Sequence, residues 1–265
     1  MSNVKRPPHD GDVHFVIEQG VARVTFDRPE ARNAMTWAMY ERLHSICERL
    51  RDDRNVRVVR FQGAGGQAFV AGTDIAQFQS FKDGEAGVAY ERGIDAGIAL
   101  LESLPIPTVA VVEGWAVGGG LAIATACDFR IATPGTKFGV PIARTLGNCL
   151  SAANVARLVA ALGRARVERL LLLADMIDAD EARAAGYLLD VVPADGLDAA
   201  AGALCERLAA LAPVTQRVSK HTLNRLLRQN LPDAEDLIRE CYGSADFHEG
   251  VQAFVEKRAP VWKGR

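Results

Sequence analysis

Apolar and polar residues alternate along two short runs near the start of the chain, Val13–Glu18 and Val21–Phe26. Between them lies Gln19–Gly20, and glycine readily adopts the positive φ that a tight turn requires. This pattern predicts a β-hairpin. Thr36 then precedes apolar residues at helical spacing, and a threonine hydroxyl is well suited to cap a helix N-terminus. We therefore expect a helix that ends near Arg51.

The rest of the chain divides into a part with mixed patterns and a part with helical spacing. Val56–Phe61 and Phe129–Ala132 have the apolar, β-branched or aromatic character of buried strands. The pattern of Asp83–Ala89 is ambiguous: Gly84 and Gly87 weaken a helix, so a mobile segment is the alternative there. After residue 140 the spacing predicts helices over 152–162, 165–174, 179–185, 197–211, 215–229, 234–242 and 250–257, with one short strand over 188–192. The fold class predicted is α/β, with a helical C-terminal region.

Three segments are expected along the chain. Residues 1–12 are polar and include Pro7 and Pro8, which indicates a disordered arm. Residues 13–200 are assigned to the core, and residues 201–265 to a C-terminal helical oligomerisation region. Several helices in the second part of the chain have apolar faces broader than one core contact needs, as over 167–174. We therefore expect these faces to be buried on another subunit.

Composition excludes several classes of partner. The chain has 265 residues, of which 49% are apolar and 24% charged, with a net charge of −2 and no block of like charges. Nucleic acid and membrane surfaces are therefore not expected partners. The five cysteines are scattered without metal-ligand spacing, and no run approaches the ~18 apolar residues of a membrane span. We expect a soluble cytoplasmic protein with reduced thiols, no bound metal and no cofactor.

Three consecutive glycines, Gly118–Gly120, separate an apolar run over 109–114 from a segment of small residues over 121–126. A strand that passes into a helix through bare backbone exposes peptide N–H groups to a ligand, and the helix dipole favours negative charge there. Close packing of the helix is the alternative reason for the glycines. A second small-residue loop, Ala68–Ile75, also precedes a short helix. Two separate amide sources suit the stabilisation of an oxyanion that develops on a carbonyl.

A competing interpretation starts from Gly63–Ala68, which matches a relaxed dinucleotide-binding pattern after a strand. The residues that follow do not open a long helix, and Asp83 does not end a second strand. The pattern therefore lacks the βαβ frame that gives it meaning.

Five motifs follow one another along the chain: FDRPEARNAM, AFVAGTDI, GWAVGGGLAIATACDFRIA, LLLADMIDADEARAAGYLLDVVP and EGVQAFVEKRAPVWKGR. Together they resemble the enoyl-CoA hydratase/isomerase, or crotonase, superfamily. The resemblance extends from Val13 to the C-terminus. It implies an acyl-CoA substrate and a crotonase-like ββα superhelix core. It also implies a C-terminal helical trimerisation region, giving a homotrimer or a dimer of trimers.

The resemblance also implies site residues. The amides of Ala71 and Gly119 would form the oxyanion hole for the thioester carbonyl. Coenzyme A, as part of the substrate, and the acyl group would contact Arg32, Ala34, Thr73, Asp74, Ile75, Trp115, Ile142 and Thr145. For Asp74 and Asp128 we favour a second role, the capping or bracing of a loop.

The chain departs from the family pattern at two positions. The resemblance implies catalytic glutamates where this chain has Ala122 and Ile142, and neither side chain can carry a proton. Ordinary hydration is therefore not expected from these positions. Other groups that could face the acyl chain are Tyr90, Glu91, Glu113, Thr145, Asn148 and Cys149, with Arg144 as a partner for an acidic acyl group. Each has a structural alternative: Glu113 ends a strand, Cys149 is an inert buried thiol, and Arg144 is a surface arginine, which is the interpretation we favour for it.

Two hypotheses remain open from the sequence. The first is an enzyme that stabilises a thioester enolate and uses it for isomerisation, hydration, decarboxylation or hydrolysis. The second is a non-catalytic acyl-CoA-binding or assembly protein with the same fold.

Overall fold

The computed structural model describes residues 10–264. Residues 1–9 of the predicted N-terminal arm lie outside the described residues, and Asp12 already belongs to the first strand. The strands are β1 Asp12–Glu18, β2 Val21–Asp27, β3 Val58–Gly63, β4 Ala68–Val70, β5 Thr108–Val112, β6 Trp115–Val117, β7 Phe129–Ala132, β8 Lys137–Gly139, β9 Met176–Asp178 and β10 Asp190–Val191. The helices are α1 Trp37–Asp52, α2 Gly84–Glu102, α3 Gly119–Ala126, α4 Ile142–Thr145, α5 Ala152–Leu162, α6 Arg164–Leu172, α7 Ala179–Ala184, α8 Ala194–Ala209, α9 Pro213–Arg228, α10 Glu235–Tyr242 and α11 Ala245–Val255. Short 3₁₀ helices span Pro29–Ala31 and Ile75–Ser80.

The strands form two sheets. The larger sheet has the order β1-β2-β3-β5-β7-β10, and the smaller has the order β4-β6-β8-β9. The β1–β2 pair is the predicted antiparallel hairpin, while β2, β3, β5, β7 and β10 are parallel. The predicted helix after Thr36 is α1, and the Thr36 hydroxyl accepts a hydrogen bond from the Met39 amide.

A repeated unit places the loops of the site together. In turn, β3, β5 and β7 lie in the larger sheet, and each is followed by a strand of the smaller sheet and then by a helix. This is the ββα superhelix that the resemblance implies. The change of sheet between β5 and β6 occurs at Gly114, where φ is +64° and a Cβ would overlap the Gln67 carbonyl. Glycine is needed there for both reasons.

The alternative of a mobile segment at Asp83–Ala89 is wrong. These residues cap and begin α2, and the Asp83 carboxylate accepts a hydrogen bond from the Ala86 amide. A Cβ at Gly84 would overlap the Arg239 carbonyl, and one at Gly87 would overlap the Tyr242 ring. The two glycines therefore let α10 approach α2 closely, and that contact stabilises the helix in spite of their low propensity.

The helical C-terminal region is partly joined to the core. Helix α8 packs on the larger sheet through Leu197, Ala201, Cys205 and Leu208, in one cluster with residues of β3, β5 and β7. The predicted boundary between residues 200 and 201 falls inside this helix. The last helix, α11, begins at Ala245 rather than near 250, because the Ser244 hydroxyl caps it by accepting from the Phe247 amide.

Several large apolar side chains are exposed on the helices. Leu172 and Leu173 at the end of α6 are 75% and 67% exposed, and α9 exposes Val214, Val218, Leu223 and Leu226. Exposed apolar side chains of this size fit the predicted subunit contact, which stays a prediction. None of the described helices is long and apolar enough to cross a membrane.

Candidate functional site

A cavity of about 190 Å³ lies where the loop after β4, the start of α3, the middle of α2 and the helix α4 meet. Most of its wall is apolar, and Phe254 of α11 contributes from the C-terminal region. A larger groove of about 730 Å³ lies between α1 and α2, and Tyr90 and Ile94 border both spaces. Only the smaller cavity is lined by both glycine-bearing loops singled out in the sequence.

The glycine turn gives the cavity a helix N-terminus. Helix α3 begins at Gly119, and the first intrahelical bond runs from the Ala122 amide to the Gly118 carbonyl at 3.0 Å. The Gly119 amide has no acceptor among the described residues. A Cβ at Gly119 would overlap the Tyr40 hydroxyl, and one at Gly120 would overlap the Val70 carbonyl. The glycines therefore serve both close packing and access to backbone amides.

The amide of Ala71, the other predicted oxyanion donor, differs from that of Thr73 in its hydrogen bonding. The Ala71 amide donates to the Arg32 carbonyl at 3.1 Å, so it is already occupied, which argues against its predicted role as an oxyanion donor. Met35 pairs with the residues on either side of Thr73, accepting from the Asp74 amide and donating to the Gly72 carbonyl, both at 2.8 Å. The Thr73 amide is left without an acceptor among residues 10–264. Thr73 also adjoins Gly119, since a Cβ there would lie 3.4 Å from Thr73 Oγ1.

Two tyrosine hydroxyl groups fix the Thr73 side chain. Thr73 Oγ1 lies 2.8 Å from the Tyr40 hydroxyl and 3.0 Å from the Tyr90 hydroxyl. Burial raises the pKa of Tyr40 to about 12 and raises the pKa of Tyr90 well above its usual value. Both phenols therefore stay neutral at physiological pH and act as hydrogen-bonding groups rather than as bases.

Glu91 is the only carboxylic acid among the described residues that line the cavity. It is 2% exposed, and its two oxygens accept hydrogen bonds from the Tyr242 hydroxyl at 2.7 Å and the Ser151 amide at 3.0 Å. Burial raises the pKa of Glu91 to about 7, although these two hydrogen bonds oppose the shift, and the nearby Asp95 adds to it. A carboxyl group with such a pKa can accept or donate a proton near neutral pH.

Asn148 belongs to the same polar cluster. Its amide nitrogen donates to the Tyr242 hydroxyl at 3.3 Å, and its buried Oδ1 has no partner in the part of the chain that the structure describes. Ala122 and Ile142, the two positions without a proton carrier, line the cavity as well.

The predicted residues separate into two groups. Those that line the cavity are Ala71, Thr73, Ile75, Gly119, Ile142 and Thr145, while the cavity wall does not include Arg32, Ala34, Asp74 or Trp115. Among the additional candidates, Tyr90, Glu91 and Asn148 line it, and Glu113, Arg144 and Cys149 do not.

The two aspartates have the bracing role that the sequence analysis favours. Asp74 pairs with Arg28 at 2.7 Å and caps the 3₁₀ helix Ile75–Ser80 by accepting from the Ala76 amide. Asp128 accepts hydrogen bonds from the Thr108 amide and from Lys220 Nζ, both at 2.8 Å, and so ties the start of β5 to α9. The described residues contain no group of three or more His, Cys, Asp or Glu side chains that could hold a metal ion.

Comparisons with known proteins agree with this fold and this cavity. A family model described as enoyl-CoA hydratase/isomerase matches residues 16–265. The short-chain-enoyl-CoA hydratase of Clostridium acetobutylicum is 32% identical over 245 residues, 91% of this chain and 93% of that protein. A solved enoyl-CoA hydratase/carnithine racemase from Magnetospirillum magneticum is 34% identical, with 96% of each chain covered and a TM-score of 0.78. A solved methylmalonyl-CoA decarboxylase complexed with 2S-carboxypropyl CoA is 25% identical, covers 96% of this chain and 98% of that chain, and has a TM-score of 0.86. The chain belongs to the enoyl-CoA hydratase/isomerase family of the crotonase superfamily.

Proposed function

We propose that this protein is an enzyme that processes acyl-CoA thioesters, and that the amides of Thr73 and Gly119 hold the thioester oxygen. The observation that carries the proposal is the pair of neighbouring backbone amides that lack an acceptor among residues 10–264 and border one small cavity. Thr73 replaces Ala71 in this role because the Ala71 amide already bonds to Arg32.

Two amide donors would stabilise the negative charge that develops when a proton or a carboxyl group leaves the acyl α-carbon. Each oxyanion donor of this kind is worth about 3–4 kcal/mol of transition-state stabilisation in well-studied cases. The positive end of the α3 dipole adds to the effect at Gly119. Neither donor needs to titrate, so this part of the site would work over a wide pH range.

The cavity favours a short, apolar acyl group. At about 190 Å³ it is smaller than the ~300 Å³ lower bound of common drug-sized sites. Ile75, Ile94 and Leu146 lie in its wall, and no arginine or lysine lines it among the described residues. A second carboxylate on the acyl group would find no cation there. Coenzyme A would extend outside the cavity, along the loops that carry Arg32, Ala34, Asp74 and Trp115.

Ordinary hydration is not part of the proposal. Water addition needs one group that activates water and one that protonates the α-carbon, and Ala122 and Ile142 supply neither. A purely non-catalytic binder is not favoured, because the cavity retains a buried carboxyl group beside the two amides.

The test compares alanine, which keeps the amide donor at position 119, with proline, which lacks it. Because a Cβ at Gly119 would overlap the Tyr40 hydroxyl, both variants carry Tyr40→Phe to make room. Gly119→Ala keeps the N–H and Gly119→Pro removes it, and proline is well tolerated at the first position of a helix. Each variant and the wild type are incubated with enoyl-, dienoyl- and malonyl-type CoA esters, and the products are followed by mass spectrometry. We expect turnover in the alanine variant and its loss in the proline variant. Equal turnover in the two variants would contradict the oxyanion role of Gly119, and binding without turnover by the wild type across the panel would refute an enzyme.

A further inference from the structure

Helix α2 carries two buried glutamates, and only one of them has cationic partners. Glu102 is 5% exposed and lies between two arginines, with Arg157 Nε at 3.1 Å and an Arg228 nitrogen at 2.6 Å. Glu91 is 2% exposed and makes no ion pair with any of the described residues. A buried carboxyl group costs free energy unless a cation or several hydrogen bonds compensate it. Glu102 has the environment of a structural ion pair, and Glu91 does not.

The hydrogen bonds of Glu91 leave part of its acceptor capacity free. Each oxygen accepts one hydrogen bond from the described residues, from Tyr242 or from Ser151, whereas an ionised carboxylate offers about four acceptor positions. The bonds hold the carboxyl group from α10 and from the start of α5. A glutamine could accept only one of the two bonds, so a bracing role also has to be tested.

We infer that Glu91 is the catalytic proton carrier of this site and that it moves a proton between the α- and γ-carbons of a β,γ-unsaturated acyl-CoA. The inference rests on the proposed function. It is carried by the position of Glu91, which lines the same cavity as the two free amides and is the single carboxylic acid in the described part of its wall.

One carboxyl group is sufficient to move the proton from the α-carbon to the γ-carbon. The Glu91 carboxylate removes a proton from the α-carbon, and the electron pair of that C–H bond becomes part of a dienolate whose charge lies on the thioester oxygen. The amides of Thr73 and Gly119 hold that oxygen. The resulting Glu91 carboxylic acid returns the proton to the γ-carbon, the carbonyl reforms, and the double bond ends between the α- and β-carbons. The net reaction is an isomerisation that needs neither water nor an oxidant.

The surroundings of Glu91 suit a reversible proton transfer. A proton carrier works best when its pKa lies near the operating pH, and burial brings the pKa of Glu91 to about 7. Groups that face it and could titrate or carry charge are Tyr40, Tyr90, Asp95, Cys149, Cys241 and Tyr242. Burial raises the pKa of Tyr90 and of Tyr242 far above neutrality, so neither phenol ionises in the same range.

The experiment follows the conversion of vinylacetyl-CoA to crotonyl-CoA and the exchange of α-protons in deuterium oxide. We expect Glu91→Gln to bind the ester with little change in affinity but to lose at least ~100-fold in kcat and in exchange, the lower range for general acid–base catalysis. Glu91→Asp keeps the proton-carrying group with a shorter reach and should retain part of the rate. Asp95→Asn is the matched control, because Asp95 lies one turn further along α2, bonds to the Ser151 hydroxyl at 2.7 Å and does not line the cavity.

The outcomes separate the inference from the function on which it rests. Wild-type activity with an equally active, folded Glu91→Gln variant would overturn the inference and leave the proposed function intact. No turnover and no exchange by the wild type with any ester would overturn both. Equal losses in Glu91→Gln and Asp95→Asn, with lowered melting temperatures and weaker ester binding, would assign Glu91 to bracing only. If Glu91→Gln does not fold, the pH dependence of wild-type kcat decides. An inflection near pH 7 that persists in Asp95→Asn, moved to lower pH because the Asp95 charge raises the pKa of Glu91, supports the inference, and its absence from the wild type overturns it.

Discussion

The Tyr242 hydroxyl donates a 2.7 Å hydrogen bond to Glu91 across a sequence separation of 151 residues. The bond connects the C-terminal helix α10 to the cavity, and it exists because Gly87, one turn before Glu91, has no side chain to hold the Tyr242 ring away. Tyr242 itself is fully buried, in a small aromatic cluster with Phe78 and Phe247. The C-terminal region therefore sets the environment of the one carboxyl group in the described wall of the cavity.

Tyr242→Phe should move the pH dependence of catalysis upward. The hydroxyl donates to the carboxylate and so lowers the pKa of Glu91 against the larger effect of burial. Its removal leaves the burial effect less opposed, and the pKa of Glu91 should rise above about 7. The measurement is kcat for vinylacetyl-CoA isomerisation between pH 5 and 9, with Asn148→Ala as a second variant that removes only the outer hydrogen bond to Tyr242. An inflection that stays in place or moves downward in Tyr242→Phe would contradict Glu91 as its source.

Glu91 should also make the folded state less stable as pH rises. Its pKa is about 7 in the folded protein against an ordinary value of 4.5, so between these values the folded state binds more protons than the unfolded state. Stability then falls as pH rises through this window, by at most about 3 kcal/mol, and is constant above it as far as this group is concerned. Urea unfolding of the wild type and of Glu91→Gln at pH 5 and pH 8 checks this. The difference between the two proteins should favour the variant more at pH 8, and a difference independent of pH would contradict the shifted pKa.

Replacing different glycines of α2 by alanine should change the stability of the protein in opposite directions. Gly87→Ala places a methyl group on the Tyr242 ring and should destabilise the protein by about 1–3 kcal/mol. Gly93→Ala and Gly97→Ala are matched controls on the same helix, where a Cβ meets nothing within 4 Å. These two should gain about 0.5–1 kcal/mol from better helix propensity. Thermal and urea unfolding of the three variants provide the comparison, and a stabilised Gly87→Ala would show that the close approach of α10 is not needed.

These glycines illustrate what the sequence predicts and what it cannot. The hairpin Val13–Phe26 and the helix 152–162 could be predicted because local alternation or helical spacing agrees with the final packing. The start of α2 cannot be predicted locally, because Gly84 and Gly87 weaken a helix and only the distant helix α10 explains why they are tolerated.

In the site, too, some features can be predicted from local sequence and others depend on distant contacts. The motifs identify both loops that supply amides, but the choice between Ala71 and Thr73 depends on their pairing with Arg32 and Met35 across the chain. Helix α2 contains several acidic residues, and the sequence alone does not distinguish Glu91 from the others. Its special character comes from burial without a cation, which depends on Ser151 and Tyr242 from other elements.

The exposed face of α9 should be a subunit contact. Leu223 and Leu226 are 67% and 63% exposed, and an apolar helix face of this kind is costly in water unless a partner covers it. We expect the wild type to sediment as a trimer or a dimer of trimers and the double variant Leu223→Glu/Leu226→Glu to sediment at lower mass. Val16→Glu, on the edge strand β1 and 48% exposed, is the control that should leave the mass unchanged. A monomeric wild type at micromolar concentration would contradict the prediction.

Placing carboxyl groups at Ala122 and Ile142 should convert the site toward hydration. Both positions line the cavity beside the two free amides, so glutamates there could activate a water molecule and protonate the α-carbon. We expect Ala122→Glu/Ile142→Glu to hydrate crotonyl-CoA measurably and the wild type not to, because the reaction needs an acid and a base placed together on the acyl group. Loss of absorbance of the conjugated thioester reports the rate, and ester affinity and thermal unfolding show whether the double variant is intact. A folded, ester-binding double variant without hydration would mean that the missing glutamates are not the only obstacle. The apolar wall formed by Ile75, Ile94 and Leu146 would then be the next element to change, since it controls whether water can enter.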